Sequence, residues 1–177
     1  MILYVVRHGE TSKNKLGLIQ GQTECDLTEK GIKDAEKLKS TVDSLDIDIV
    51  ISSPLERAKD TARIITSNKY PINIDDRIIE RDWGMCEGAH ISEVDTVKCW
   101  NFYANTDNNH IEKVQDLLAR VSDFLEDIKA KYKDKNVLVV AHSAVLRAIH
   151  YCLHPIPEDG DMSKIEIPNL RIVEYEI

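Results

Sequence analysis

Four side chains suited to phosphoryl chemistry each follow an apolar run of this sequence, namely Arg7, His8, Arg57 and His142. A guanidinium offers planar, bidentate hydrogen bonds to phosphate oxygens, and an imidazole supplies either a nucleophile or a further donor. A neutral imidazole nitrogen can attack phosphorus and form a covalent phosphohistidine, which divides one difficult displacement into two easier ones. Because positive neighbours disfavour the imidazolium, two arginines would keep such a nucleophile neutral near pH 7. These residue types predict a site for a phosphoryl group.

Each of these residues also has a simpler interpretation when it is taken alone. A histidine after a strand is more often a hydrogen-bonded structural residue, and Arg57 would be a surface residue of a helix. Ser53 before Pro54 is a good helix N-cap, whereas Gly9 would let the backbone approach an anion and donate its N–H to it. Their joint position favours the phosphoryl site, because ligands of open α/β sheets bind outside the carboxyl ends of the strands.

The elements that position these residues alternate between strand and helix patterns. Continuous apolar runs, interrupted once by Asp48, predict strands that are covered on both faces: Ile2–Val6, Ile47–Ile51 and Val137–Ala141. Apolar residues at helical spacing predict helices over 28–44, from Pro54 onward, over 111–131 and over 144–153. Alternation over Leu170–Ile177 predicts an edge strand. This order predicts a three-layer α/β/α fold with a mostly parallel central sheet and right-handed crossovers.

Length and composition limit the class of protein. The chain has 177 residues and a net charge of −8, which fits a single domain over 1–177. The acidic balance disfavours nucleic acid and anionic membranes as partners, because the long-range field repels both. No run approaches the roughly 18 apolar residues of a membrane span, and the N-terminus lacks the features of a signal peptide. The four cysteines form no Cys-x-x-Cys pair, so we expect reduced thiols in a cytoplasmic protein.

Four ordered blocks of the sequence resemble the histidine phosphatase superfamily. The blocks are Leu3–Asn14, Ser52–Ala62, Glu80–Gly88 and Val139–His142, and Gln20-Gly21 with the following Leu27–Gly31 resembles a further segment of that family. The first two blocks are specific when they occur together, and the likeness covers nearly the whole chain. The resemblance implies a phosphoglycerate mutase-like fold and phosphoryl transfer through a histidine.

The resemblance also implies a role for each candidate residue. His8 would be the nucleophile, and Glu80 would protonate the departing oxygen and then accept a proton from the attacking water. The charge of the transition state would be stabilised by Arg7, Arg57 and His142. Further residues expected beside the substrate are Asn14, Gln20, Gly21 and Ser143. No metal or cofactor is implied, because arginine and histidine supply the positive charge.

Two acidic residues besides Glu80 need a separate interpretation. Without the resemblance, Glu80 and Asp82 belong to a charged run that is typical of a solvated face, and Asp82 is the alternative general acid. Glu87 is expected to be structural and to hold the Gly84–Gly88 turn.

The sequence departs from the family pattern mainly where the substrate would bind. Ser143 and Ala144 stand where the family usually has glycines, so the phosphate pocket is expected to be narrower. Gly84–His110 is irregular and is predicted to be a short lid or insertion. Its aromatic character fits either an apolar leaving group or internal packing, through Trp83, Trp100, Phe102 and Tyr103.

A phosphatase is favoured over a mutase. A mutase must hold a doubly anionic substrate and therefore needs extra cations, yet Gly84–His110 carries Lys98 as its sole lysine or arginine. We predict a metal-independent phosphatase acting on a small phosphomonoester. A phosphoglycerate mutase and a non-catalytic protein that binds a phosphorylated ligand are the alternatives. A sugar phosphate and an ester with an apolar leaving group are equally compatible with the sequence.

Overall fold

The computed structural model describes residues 1–104 and 109–177, and within these ranges five strands form one sheet in the order β3-β2-β4-β1-β5. The strands are β1 (Ile2–Arg7), β2 (Ile49–Ser52), β3 (Ile72–Ile74), β4 (Val137–Ala141) and β5 (Ile172–Glu176). The first four pair in parallel, and β5 runs antiparallel to β1 at the edge. The mostly parallel sheet and the edge strand are as predicted from the sequence.

Helices cover both faces of the sheet, which confirms the three-layer α/β/α fold. They are α1 (Ser12–Lys15), α2 (Glu29–Asp43), α3 (Glu56–Ile65), α4 (Thr96–Cys99), α5 (Val114–Lys131) and α6 (Ser143–Leu153). Side chains alternate along the central strands, so that Val5 and Val139 pack with α5 and α6. Val6 and Val140 pack with α2 and α3 on the opposite face. Burial on both faces explains why these strands read as continuous apolar runs.

The register brings the predicted site residues to one edge of the sheet. Arg7 of β1 lies opposite Ala141 of β4, and Ser52 of β2 lies opposite Val140. The residues that follow these three strands therefore leave the sheet side by side, at its carboxyl edge. His8, Ser53 and His142 are the first residues beyond the strands.

Several boundaries differ from the sequence predictions. The short strand β3 was not predicted, because two of its three residues are exposed and give no apolar run. Ser53 is not the N-cap of α3, which begins at Glu56 with Leu55 in the cap position. The helix predicted over 111–131 begins at Val114, because the preceding Glu112 accepts hydrogen bonds from the buried Arg81 and the half-buried Arg120.

The predicted lid is packed against the body of the protein where the structure describes it. It consists of short 3-10 turns and α4, while its residues 105–108 lie outside the described ranges. Trp83 and Trp100 are buried, and Trp100 is stacked between the guanidinium groups of Arg81 at 4.7 Å and Arg147 at 4.6 Å. These cation–π contacts fix the position of the chain beside Glu80.

Two further findings concern the chain as a whole. All four cysteines carry free thiols. Over the described ranges, none of the helices has the length and apolar character needed to cross a membrane.

Candidate active site

A cavity of about 210 Å³ opens at the carboxyl edge of the sheet. The predicted site residues that line it are Arg7, His8, Asn14, Gln20, Gly21, Glu80 and Ser143. The rest of its wall is made by Gly17, Leu18, Ile19, Trp83 and Ile91. Residues far apart in the sequence therefore converge on one small chamber. Arg57 and His142, which were also predicted to be site residues, are not among the residues that line it.

His8 is held as a neutral imidazole with a defined tautomer. Its side chain is 1% exposed, and Nδ1 lies 2.8 Å from the carbonyl oxygen of Gly9. Because a carbonyl only accepts, Nδ1 carries the hydrogen and Nε2 keeps its lone pair. Burial first, and then the charges of Arg7 and Arg57, hold the pKa of His8 well below its usual range. Such a nitrogen is a competent nucleophile at neutral pH.

The two arginines lie beside His8 and are anchored by backbone carbonyls. Arg7 donates from Nη1 to Ile167 O at 2.7 Å. Arg57 donates from Nη1 to Thr23 O at 2.9 Å and from Nη2 to Gly21 O at 2.7 Å. In both, Nε is buried and has no partner among the described residues. Each guanidinium therefore retains donor capacity while its position is fixed.

His142 lies against His8, with the ring centroids 5.2 Å apart. It is fully buried, and its Nε2 lies 2.6 Å from Ser53 Oγ. Burial, followed by the neighbouring His8 and arginine charges, holds the pKa of His142 well below its usual range. The hydroxyl of Ser53 thus contacts a candidate catalytic residue, whereas the sequence suggested a helix cap.

Glu80 is a buried carboxyl group, not part of a solvated charged face. Its Oε1 accepts from the backbone N–H of Arg81 at 2.9 Å and of Ala144 at 3.2 Å. Burial raises its pKa above the usual range, although these bonds and the arginine charges oppose that effect. A carboxyl group with a raised pKa beside a phosphoryl site is suited to general acid and base work. Asp82, the alternative acid, is exposed and does not line the cavity.

The predicted substrate-contacting residues surround the same chamber. Asn14 accepts from Thr11 N–H through Oδ1 at 3.2 Å, and Gln20 accepts from Thr11 Oγ through Oε1 at 2.8 Å. Both amide nitrogens are left without a partner among the described residues, and they are the donors that an anion needs. Ser143 is the first residue of α6, whose N-terminus favours negative charge at the cavity.

Gly21 is required for backbone reasons. It has φ of +53°, and a Cβ there would lie 1.7 Å from Oε1 of Glu87. The same Glu87 oxygen accepts from Gln22 N–H at 2.9 Å. Glu87 is therefore structural, as expected, and it stabilises the loop whose carbonyls hold Arg57.

The prediction for Gly9 was wrong in one respect. Its N–H donates to Thr61 Oγ1 at 3.0 Å and is not directed to an anion. The need for glycine comes from close packing, because a Cβ would lie 3.1 Å from the carbonyl oxygen of Gly31. Thr61 donates in turn to Arg57 O at 2.7 Å, so one hydroxyl joins the loop of His8 to the helix of Arg57.

Two positioning residues were not found from the sequence. Asn169 donates from Nδ2 to His8 O at 2.6 Å, from a segment that follows no recognisable motif. Arg120 of α5 donates to the carbonyl oxygens of Arg77 and Ile79 and, at 3.4 Å, to that of Glu80. An arginine on an amphipathic helix is ordinarily solvated, so no signal in the sequence marked it.

Comparison with known proteins identifies the family of this chain. The pattern of the histidine phosphatase superfamily (branch 1) matches residues 3–177. The uncharacterized phosphatase PhoE of Bacillus subtilis is 36% identical over 148 residues, which cover 82% of this chain and 73% of that protein. The metal-independent phosphoserine phosphatase of Arabidopsis thaliana is 35% identical over 182 residues, covering 96% of this chain and 76% of that protein.

A solved structure has the same fold over almost its full length. Bacillus stearothermophilus YhfR superposes with a TM-score of 0.87 at 26% identity, covering 99% of this chain and 91% of that chain. The chain therefore belongs to the histidine phosphatase superfamily, and it is a phosphoric monoester hydrolase of that family.

Proposed function

We propose that this protein is a metal-independent phosphatase that hydrolyses a small phosphomonoester through a phosphohistidine on His8. The observation that carries the proposal is the buried His8 ring, whose Nδ1 is bonded to Gly9 O and whose Nε2 therefore has a free lone pair. This ring, Arg7 and Glu80 line one cavity. Nucleophile, positive charge and proton donor are thus supplied by side chains alone.

In the first step, His8 Nε2 attacks phosphorus and the bond from phosphorus to the alcohol oxygen breaks. Arg7, Arg57 and His142 stabilise the charge on the phosphoryl oxygens. Glu80, whose pKa is raised by burial, gives its proton to the departing oxygen. The alcohol leaves as a neutral molecule, and the phosphoryl group remains on nitrogen.

In the second step, water attacks the phosphohistidine and the nitrogen–phosphorus bond breaks. Glu80, now ionised, accepts the proton of the attacking water and returns to its starting state. His8 regains its lone pair, because Nδ1 has kept its hydrogen and its bond to Gly9 throughout. Inorganic phosphate is the second product.

We propose an uncharged or apolar leaving group. Leu18, Ile19, Trp83 and Ile91 form an apolar part of the cavity wall, and Arg7 is the one lysine or arginine among the described residues that line it. Leu16, which precedes Gly17 of this wall in the sequence, is 63% exposed, and Met85, two positions after Trp83, is 75% exposed. The side chains of Leu18, Ile19 and Ile91 offer no partner to a carboxylate on the leaving group, and unpaired buried charge is costly.

The apolar part of the cavity wall also favours a phosphatase over a mutase. A phosphoglycerate mutase must bind the carboxylate of its substrate and retain the alcohol for rephosphorylation, which calls for cations that this wall lacks. Relatives that carry the name phosphoserine phosphatase also act on a carboxylate-bearing ester. We propose that this chain differs from them in its preferred alcohol.

The test is hydrolysis in the presence of a chelator. With EDTA, the purified protein is expected to release phosphate from p-nitrophenyl phosphate, and His8→Ala is expected to abolish that release. Glycerol 3-phosphate is expected to have a kcat/KM at least about tenfold above that of 3-phosphoglycerate, since the two differ mainly in the carboxylate. Full activity of His8→Ala would overturn the mechanism, whereas a preference for 3-phosphoglycerate would overturn the choice of leaving group alone.

A further inference from the structure

The hydroxyl of Ser53 bridges the two strands that carry the site. Ser53 follows β2, and its N–H donates to Val140 O of β4 at 3.1 Å. Its Oγ lies 2.6 Å from Nε2 of His142, the residue that follows β4. Both residues are fully buried, so this contact is made without competition from solvent.

The hydrogens of this pair can be assigned from their neighbours. Leu55 N–H donates to Ser53 Oγ at 3.3 Å, which uses an acceptor position of that oxygen. Among the described residues, the sole acceptor that the hydroxyl hydrogen reaches is His142 Nε2. If Nε2 carried a hydrogen, that hydroxyl hydrogen would have no acceptor in a fully buried site, an unfavourable arrangement.

We propose that Ser53 is a positioning residue that donates to Nε2 of His142 and thereby holds the ring in its neutral Nδ1–H tautomer. Nδ1 is buried and has no partner among the described residues, and its ring lies beside that of His8. With its hydrogen on Nδ1, His142 donates to a phosphoryl oxygen. With its hydrogen on Nε2, it would present a lone pair to an anion and repel it.

The two histidines then share one tautomer but use it in opposite ways. His8 donates a hydrogen bond from Nδ1 to the carbonyl oxygen of Gly9 and presents the lone pair of Nε2 to phosphorus. His142 receives a hydrogen bond at Nε2 and presents Nδ1–H to the oxygens. This inference rests on the proposed catalysis through a phosphohistidine, which needs a nucleophile and hydrogen-bond donors to the phosphoryl oxygens.

Burial is the largest influence that keeps His142 from becoming an imidazolium, and groups on three neighbouring elements add to it. Arg7 and His8 at the end of β1, Arg57 on α3 and Arg120 on α5 all disfavour its protonation. Glu80, which accepts from the N–H of Ala144 on α6, is the nearby acid. The wild-type ring is therefore neutral around neutral pH and depends on Ser53 for its tautomer.

Nitrogen-15 NMR of the histidine rings tests this directly, in the wild-type protein without ligand. We expect His142 to show a protonated Nδ1 and an unprotonated, hydrogen-bonded Nε2, with its signals identified by their loss in His142→Gln. Hydrogen on Nε2 in the wild-type protein would overturn the proposal.

Kinetics of Ser53 variants give a second test. Ser53→Ala is expected to lower kcat/KM for p-nitrophenyl phosphate about tenfold near neutral pH, because the wrong tautomer becomes populated. Ser53→Thr keeps the hydroxyl and is expected to restore the rate. Ser52→Ala is the matched control, since Ser52 is equally buried but donates to Ser53 O and does not contact His142.

The pH dependence distinguishes tautomer control from a general structural defect. An imidazolium carries hydrogen on both nitrogens, so the ratio of the Ser53→Ala rate to the wild-type rate is expected to rise as the pH is lowered through the pKa of His142, which lies well below its usual value of 6.5. A ratio that does not change with pH would contradict the proposal. If the NMR result holds but no phosphomonoester is turned over, the proposed function fails and the tautomer assignment stands.

Discussion

The chemistry of this site depends on how burial changes the acidity of individual side chains. The pKa of His8 and of His142 is lowered by burial, while the pKa of Glu80 is raised by it. One environment therefore favours the neutral form of all three side chains, which suits the proposed roles of nucleophile, hydrogen-bond donor and general acid. The arginine charges reinforce the effect on the histidines and oppose the effect on Glu80. Because the pKa of Glu80 is nevertheless raised, desolvation is the larger influence on that carboxyl group.

Glu80→Gln is predicted to slow the hydrolysis of an ester more strongly when its leaving group needs a proton. The value of kcat/KM for an alkyl phosphate should fall by about 100-fold or more, and that for p-nitrophenyl phosphate by less than about tenfold. Steady-state kinetics on the two esters measure this. Asp82→Asn is the control, because Asp82 is exposed and outside the cavity. An equal loss on both esters in Glu80→Gln would contradict proton donation.

The direction of the pH profile follows from the same residues. The first step needs His8 neutral, so the rate falls on the acid side as His8 becomes protonated, at a pH below its ordinary pKa of 6.5. It also needs Glu80 protonated, so the rate falls on the alkaline side as Glu80 ionises, at a pH above its ordinary pKa of 4.5. Glu80→Gln is expected to remove the alkaline fall and to leave the acid one.

At the scale of elements, a segment near the C-terminus holds the residues that follow β1. Ile167 O accepts from Arg7, Leu170 N–H donates to Arg7 O, and Asn169 donates to His8 O. These bonds join residues about 160 positions away in the sequence to Arg7 and to His8, the proposed nucleophile. The segment lies between α6 and β5, so it fixes the site from outside the sheet.

Asn169→Ala is predicted to lower kcat about tenfold while costing about 1 kcal/mol of stability, the value of one hydrogen bond. The matched control is Asn73→Ala, which removes the same kind of bond, from Nδ2 to the carbonyl oxygen of Val50, far from the cavity. Thermal unfolding should shift similarly in the two variants, and only Asn169→Ala should lose activity. Equal activity of both would show that the segment does not position His8.

The sequence was informative where physical constraints are local. Buried parallel strands require continuous apolar runs, so β1 and β4 could be predicted, and the residues that follow them could be assigned to one edge. Glu80 was different, because its charged surroundings in sequence suggested solvent, whereas Arg81 next to it is fully buried and bonded to carbonyls of Cys99 and Glu112. Whether two adjacent residues of charged type are buried depends on distant partners, which no local sequence pattern reveals.

The contacts of Ser53 and Asn169 could not be predicted from the sequence, for the same reason. Ser53 is 89 positions from His142, and its local context favoured a helix cap. Asn169 is 161 positions from His8 and lies in an irregular segment. Both contacts result from the order of strands in the sheet, which the sequence restricted but did not determine.

At the scale of the whole molecule, a net charge of −8 surrounds a small cationic site. Arg57 is fully buried and Arg7 lies beside it, while the lysines and most carboxylates lie on the surface, often in ion pairs. A phosphorylated polymer would meet the repulsive exterior, whereas a small ester can enter a cavity of about 210 Å³. This distribution of charge supports a small substrate, which remains a prediction.

The proposed mechanism depends on a phosphohistidine that forms on His8, and the decisive experiment is to trap this intermediate. The protein is mixed with ³²P-labelled p-nitrophenyl phosphate, the reaction is quenched in alkali, and the peptides are analysed. The label is expected on the peptide that contains His8. That label should be stable in alkali, labile in acid, and absent in His8→Ala. Turnover without such a label, or a label that persists in His8→Ala, would contradict the phosphohistidine mechanism.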